Sequence, residues 1–462
     1  MSPLSNLAVR DIETVLHPYT NLATHRETGP LTLERAEGVR IYDANGKGYI
    51  EGMAGLWCTS LGYGNEELIE AAAQQMRKLS YSHIFGGKSH EPGIALAEKL
   101  KEISPVPVSK VFFVGSGSEA NDTQVKFVWY MNNALGRPQK KKVISRLRGY
   151  HGVTIASASL TGLPANHIDF DLPIANIMHT ACPHYYRESV AGESEEDFAT
   201  RMASELEEMI QREGPDTVAA FIAEPVMGAG GVIVPPATYF DKIQAVLDKY
   251  DVMMIADEVI CGFGRTGEMF GTQTFGMKPD TISVAKALSS AYQPIGAVMI
   301  SEEMYEAMVE ESRKIGVFGH GYTYSAHPVA AAVAIKTLEI YERDNIVGIV
   351  QARAPQFMTR LNKLADHPLV GQARGVGMIG AIEIVADKET KAQFDPKKGV
   401  AAKVAKFCED DGLILRNLFG DAVAICPPLI ISEADTDELF DILERALDKA
   451  EAWVGAEGLR NA

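Results

Sequence analysis

Cysteine is sparse in this chain and follows no pattern. The five residues (Cys58, Cys182, Cys261, Cys408 and Cys426) are odd in number, scattered and free of metal-ligand spacing. They argue against a cysteine-built metal centre and fit reduced thiols in the cytoplasm. Basic residues are also in deficit, 44 against 61 acidic ones, for a net charge of −17. That balance opposes non-specific nucleic-acid binding and favours solubility. No uninterrupted apolar run reaches membrane length, and the opening Met1-Ser-Pro-Leu-Ser-Asn6 has no basic stretch followed by a hydrophobic one. Neither a membrane span nor a secretory leader is expected, and the chain reads as cytoplasmic. No repeat or low-complexity tract stands out.

What remains is an ordinary globular composition, 46% apolar and 23% charged over 462 residues, enough for two or three domains. From about Lys110, short apolar runs alternate with amphipathic stretches. Strands are expected at Val111–Val114, Val143–Ser145, Val218–Ala223, Met253–Ala256, Thr281–Val284 and Ala297–Ser301, and helices at Glu119–Ala134, Thr200–Gln211 and Tyr239–Lys249. Such alternation predicts a mainly parallel sheet covered on both faces, with ligands beyond its C-terminal edge. After about Ala330 the character changes. A helix over Val329–Glu342 precedes short strands around Met378–Ile384, Ile414–Arg416 and Ala422–Cys426. A last helix, capped by Ser432, shows Leu439, Phe440, Leu443 and Leu447 at helical spacing. Near the other end, Arg40–Asp43, Asn45-Gly46 and Gly48–Glu51 read as strand, turn, strand. We therefore expect an α/β large domain over residues 61–328 and a smaller α+β domain built from residues 1–60 and 329–462.

Four constellations carry chemistry. Gly115-Ser116-Gly117-Ser118-Glu119-Ala120-Asn121 follows a strand and opens a helix. Small residues and a helix N-terminus suit a phosphate. The third glycine of a dinucleotide fingerprint is missing, and so is the Gly-x-Ser-x-Gly of a hydrolase elbow. In Arg148-Gly-Tyr-His-Gly152, Tyr150 is placed to stack on a planar ring, with His151 beside it. Phe221-Ile-Ala-Glu-Pro-Val-Met-Gly-Ala-Gly-Gly231 puts Glu224 at a strand end. Asp257 and Lys286 end two successive strands, as a pyridoxal phosphate (PLP) enzyme requires: the lysine forms a Schiff base and the acid keeps the pyridine nitrogen protonated. Each has a bland alternative, respectively a capped helix, a structural Tyr-His pair, a solvated glutamate and an ion pair. Their joint appearance in strand order favours the site.

These residues resemble the class III (omega) aminotransferases of PLP fold type I, over about His17 to Leu429. The specific signature runs from Ile255-Ala-Asp-Glu-Val-Ile260 through Phe263-Gly-Arg-Thr-Gly267 to Ala285-Lys-Ala-Leu-Ser289. The resemblance implies that Lys286 binds the cofactor and shuttles the proton. Asp257 pairs with the pyridinium nitrogen with Glu224 supporting it, and Tyr150 and Val259 cover the two ring faces. Gly117 and Ser118 hold the phosphate, helped by Thr323 of Gly319-His-Gly-Tyr-Thr323 from a partner subunit. It further implies an obligate homodimer, or a dimer of such dimers, with the site at the interface. Tyr19, Trp57, Phe85, Ala229 and Ile260 fall where the family lines its pocket, with Phe85 from the partner.

Arg416 aligns with the family's mobile arginine for substrate carboxylates, a role that suits a guanidinium. Users of 2-oxoglutarate typically have an arginine where this chain has Val153 and a glutamate where it has Ala229. Pyruvate is therefore the expected acceptor, an amine or omega-amino acid the donor, and alanine the co-product. Taurine:pyruvate transamination, 4-aminobutyrate transamination and aminomutase chemistry share the motifs, and a catalytically silent PLP-binding protein is a remoter alternative.

Overall fold

The computed structural model describes residues 5–461; residues 1–4 and 462, which fall in the two expected segments of the small domain, lie outside it. A seven-stranded sheet forms the centre. Its strands run in the order Lys110–Val114, Gly296–Ile300, Thr281–Val284, Met253–Asp257, Val218–Ala223, Lys142–Arg146 and Ile177–Thr180. Only Gly296–Ile300 is antiparallel to its neighbours. The central Val-Ala-Ala-Phe-Ile-Ala strand is buried along its whole length, as a strand covered on both faces must be.

Side chains alternate between the faces. Ile222, Ile255 and Val298 pack with Val125 and Val128 of helix Gly117–Ala134. Phe221, Met254 and Ile282 pack on the other side with Phe240 and Ile243 of Tyr239–Lys249 and Val333 of Pro328–Arg343. The large mixed α/β architecture is that of PLP fold type I. Among the described residues, no helix is long and apolar enough to cross a membrane.

A second sheet joins chain segments far apart in sequence. Leu33–Glu37, Arg40–Asp43 and Gly48–Glu51 run antiparallel, and Leu413–Ile414 adds parallel to the last of them. The Asp43 carboxylate holds the turn between the latter two N-terminal strands by accepting the N–H groups of Asn45 and Lys47, each at 2.9 Å. A third sheet orders Val370–Val376, Ile379–Ile384, Ala422–Ile425 and Arg416–Leu418. The final helix, Glu433–Ala456, starts at Ser432, whose hydroxyl accepts the Asp435 N–H at 3.0 Å. Leu439, Phe440, Leu443 and Leu447 are all fully buried.

One expected strand is two. Ile414–Arg416 breaks at Leu415, with Leu413–Ile414 in the second sheet and Arg416–Leu418 at the edge of the third. Leu415 belongs to neither ladder, and the chain passes there from one sheet to the next.

Candidate active site

Strand register brings the acid and the lysine together. Asp257 pairs with Ser283, and that strand ends at Val284, two residues before Lys286. Ala223 pairs with Ala256, which leaves Glu224 level with Asp257. Beyond this edge lies a cavity of about 1130 Å³. Lys286, Asp257, Gly117, Ser118, Tyr150, His151, Glu224, Val259, Tyr19, Trp57, Ala229, Ile260 and Arg416 all line it. Phe85 and Thr323 do not. Phe85 is half exposed and packs over Gly321, and the Thr323 carbonyl accepts the Tyr81 hydroxyl at 2.8 Å. Val153 is likewise exposed and outside the cavity.

Asp257 is 3% exposed and clamped. Its Oδ2 accepts His151 Nδ1 and Asn121 Nδ2, each at 2.7 Å, and its Oδ1 accepts the Val259 N–H at 3.1 Å. Three donors hold the carboxylate in one orientation in a low-dielectric setting. Lys286 sits at φ +47°, with Nζ 5.4 Å from the Trp57 ring centroid. Burial pushes its pKa down, against the opposing pull of Cys58, Asp257 and Glu224. The direction is the one that a nucleophile and base requires.

Glu224 contacts its surroundings through backbone N–H groups. It has no hydrogen bond with Asp257; its Oε1 accepts the Tyr150 N–H and its Oε2 the Gly228 N–H, both at 2.9 Å. It braces the two loops that flank the acid, and burial raises its pKa.

At the other end, Ser116 caps the helix by accepting the Glu119 N–H at 3.1 Å, and Glu119 in return accepts the Gly115 N–H at 2.6 Å. The reciprocal pair shapes a turn of small residues. A Cβ on Gly117 would stand 2.9 Å from Val259 Cγ1, so only glycine keeps this floor open. Ser118 Oγ accepts the Val153 N–H at 3.1 Å and retains its own proton for a further acceptor.

On the outer side, Arg416 faces the Trp57 ring at 5.4 Å and the Tyr19 ring at 5.9 Å. Burial lowers its pKa, and among the described residues it has no ion-pair partner. Three features escaped the sequence. Asn121 was visible only as part of a helix start. The wall Pro164, Ala165 and Asn166 carries no motif, although Asn166 fixes Tyr19 by donating to its hydroxyl at 2.7 Å. Gly228 gives room to Ile260, whose Cδ1 would lie 2.4 Å from a Cβ there.

The donor set fits a planar, phosphorylated pyridine aldehyde. An amine and a clamped carboxylate lie in one cavity, an aromatic and an aliphatic residue line it, and a small-residue helix start closes the far end. Fold and site together define a PLP enzyme.

Comparison with known proteins agrees. The family model Aminotransferase class-III matches residues 22–447. Gamma aminobutyrate transaminase 1 (mitochondrial) of Solanum lycopersicum is 49% identical over 441 residues, 95% of this chain and 85% of that protein. Gamma-aminobutyrate transaminase 1 (mitochondrial) of Oryza sativa subsp. japonica is 50% identical with the same coverages. The omega transaminase of Pseudomonas jessenii, in complex with PMP, superposes with a TM-score of 0.96 at 55% identity, covering 98% of this chain and 99% of that one. The chain belongs to the class III aminotransferase family. It is a PLP-dependent transaminase that works on amine or amino-acid and keto-acid substrates.

Proposed function

We propose that the enzyme transfers an amino group from an amine or omega-amino acid to pyruvate, giving alanine and a ketone or aldehyde. The observation that carries this reading is Arg416, a desolvated guanidinium without a carboxylate partner among the described residues, facing the same cavity as Lys286. It is placed to take one carboxylate, and Ala229 in the same lining offers no charge. The relatives named gamma-aminobutyrate transaminases favour 4-aminobutyrate among the donors.

Lys286 would hold the cofactor, Asp257 its ring nitrogen, Gly117 and Ser118 its phosphate, and Tyr150 and Val259 its two faces. Bound PLP supplies an electron sink for the pair left behind when the donor carbon loses its proton. Lys286 Nζ, whose pKa burial lowers, would take that proton and pass it on. Asp257, held by His151 and Asn121, would present its carboxylate to the ring nitrogen. Arg416 orients the acceptor carboxylate, while Trp57, Tyr19 and Ile260 keep the reacting end apolar.

The partner subunit's Phe85 and the partner subunit's Thr323 would complete the site in a homodimer. The exposed apolar Tyr81, Phe85, Ile94 and Tyr324 support such pairing. Five free cysteines support a reducing, cytoplasmic setting, and residues 61–328 would form the large domain, with residues 1–60 and 329–462 forming the small one.

The test is the visible absorbance of the holoenzyme. It should bleach with an aromatic amine or 4-aminobutyrate and recover with pyruvate. Recovery with 2-oxoglutarate alone would overturn the acceptor assignment. Lys286→Ala should keep the fold and lose turnover; full activity would remove Lys286 from the mechanism.

A further inference from the structure

Arg148 lies just outside the cavity and bonds Phe419, which lines it, and Gly230 and His184, which stand behind the lining. Its Nε donates to Gly230 O at 3.1 Å, its Nη1 to His184 Nδ1 at 3.1 Å, and its Nη2 to Phe419 O at 3.2 Å. Its guanidinium also stands 5.3 Å from the Phe419 ring centroid. Among the described residues no carboxylate pairs with it. One side chain thus ties its own loop, which carries Tyr150 and His151, to the turn after Ala229 and to the hairpin turn that follows Arg416.

The surroundings are built for this contact. A Cβ on Gly420 would stand 2.6 Å from Arg148 Nη2, and one on Gly231 would stand 3.1 Å from Nη2 of both Arg148 and Arg374. Both glycines have positive φ, +81° and +125°. His184 is kept neutral, pushed down to about 3 by burial and then by Arg374. Its Nδ1 therefore accepts, and its Nε2 faces Gln372 Oε1 at 3.2 Å. Behind it, Arg374 holds Gly231 O at 2.6 Å and pairs with the buried Glu383 at 2.7 Å. The charge of Arg374 is matched by Glu383, whereas the fork of Arg148 serves backbone carbonyls and one neutral imidazole.

Arg416 needs an external reference. Its strand is the edge of its sheet, pairing only with Ala422–Ile425, and ring faces are the contacts its guanidinium makes. At the tip of that hairpin Gln393 reaches Gly420 O only at 3.4 Å.

We propose that Arg148 is a positioning residue for the substrate carboxylate: by fastening Phe419 to Gly230 it sets where Arg416 stands over the cavity. This rests on the reading of Arg416 as the carboxylate anchor. Arg148 touches neither substrate nor cofactor, and its effect should appear in one substrate class.

The experiment compares the holoenzyme with Arg148→Met, Arg148→Lys, Arg416→Leu and the Arg148→Met/Arg416→Leu double variant. Each is assayed with pyruvate and with an uncharged aldehyde as acceptor, and cofactor affinity is read by fluorescence. Arg148→Met should raise the pyruvate KM about tenfold relative to the aldehyde KM, with cofactor affinity within about twofold, as expected when one of a coupled pair acts through the other. Arg148→Lys, a point charge instead of a fork, should recover only part of this. In the double variant the pyruvate KM should not exceed that of Arg416→Leu alone. Should Arg148→Met fold poorly, Gly420→Ala presses on the same guanidinium and should give the same split. Equal losses on both acceptors, or fully additive effects, would overturn the proposal and leave Arg148 a structural brace. If Arg416→Leu leaves the pyruvate KM unmoved, the anchor reading itself fails. If Arg416→Leu raises it and neither Arg148→Met nor Gly420→Ala does, only the present inference fails.

Discussion

Replacing Arg416 by leucine separates what this residue does for substrate from what it does for the fold. A guanidinium grips a carboxylate through two parallel hydrogen bonds, each to a charged group and each worth roughly 1.5–3 kcal/mol. The cavity is open to solvent, so part of that is screened, and a net loss of about 2–4 kcal/mol is reasonable, a rise of about 30- to 1000-fold in the pyruvate KM.

Stability should behave differently. Arg416 is a cation whose pKa is lowered by burial, only partly offset by Tyr150 and Tyr19. Leucine removes that desolvation and loses two ring contacts, Trp57 at 5.4 Å and Tyr19 at 5.9 Å, worth about 1 kcal/mol together. The Tm should stay within about 2 °C. Steady-state kinetics with pyruvate and with an uncharged aldehyde, alongside thermal denaturation of the holoenzyme, measure both. A pyruvate KM within about threefold of the parent's, or a Tm lower by more than about 5 °C, would refute the reasoning by showing that the guanidinium supports the fold and not the substrate.

Two further predictions concern stability. Burial pushes Glu51 up to about 7 despite the Met53 N–H it accepts at 3.0 Å. The folded chain therefore holds this proton more tightly than the unfolded one, and the cost of ionising it grows from about pH 4.5 to about pH 7, reaching ~3 kcal/mol. Glu51→Gln removes the cost, so its stability relative to the parent in urea should rise across that window and level off above it. Histidines with lowered pKa, such as His184, run with the opposite sign but cancel in the difference. A difference that is flat or falls with pH refutes the assignment. Gly62 has φ +68°, and a Cβ there would stand 2.3 Å from the Gly38 carbonyl oxygen. Gly62→Ala should cost about 2–4 kcal/mol, read as a lower urea midpoint, because both backbone strain and a clash with main chain are involved; a loss under about 1 kcal/mol would mean that the turn yields freely.

Much of the layout was legible because it depends on local pattern. Val218–Ala223, Tyr239–Lys249 and Thr281–Val284 run between the expected residues. The first is an apolar run that only a covered strand can use, the last alternates polar and apolar residues, and the helix between them keeps an apolar stripe. Asp257 and Lys286 stood out because a parallel sheet gathers successive strand ends on one edge. The break at Leu415 was not legible, since Leu413-Ile-Leu-Arg416 holds no Gly, Pro, Asn or Asp to mark it. Neither was the pairing of Glu224 with the Tyr150 and Gly228 N–H groups, which depends on how two loops fold back over a strand end.

By itself the sequence determined the chemistry available and its order along the sheet: an anion loop, an aromatic, two acids, a lysine and a distant arginine. Tertiary structure alone decided the contacts. Asn121 and His151 clamp one oxygen of Asp257, Asn166 fixes Tyr19, and Arg148 reaches Gly230 and Phe419. Each of these bonds joins residues between 82 and 271 positions apart in the chain. No local periodicity encodes such distances; they exist only once the hydrophobic packing of helices on the sheet has fixed where each strand ends.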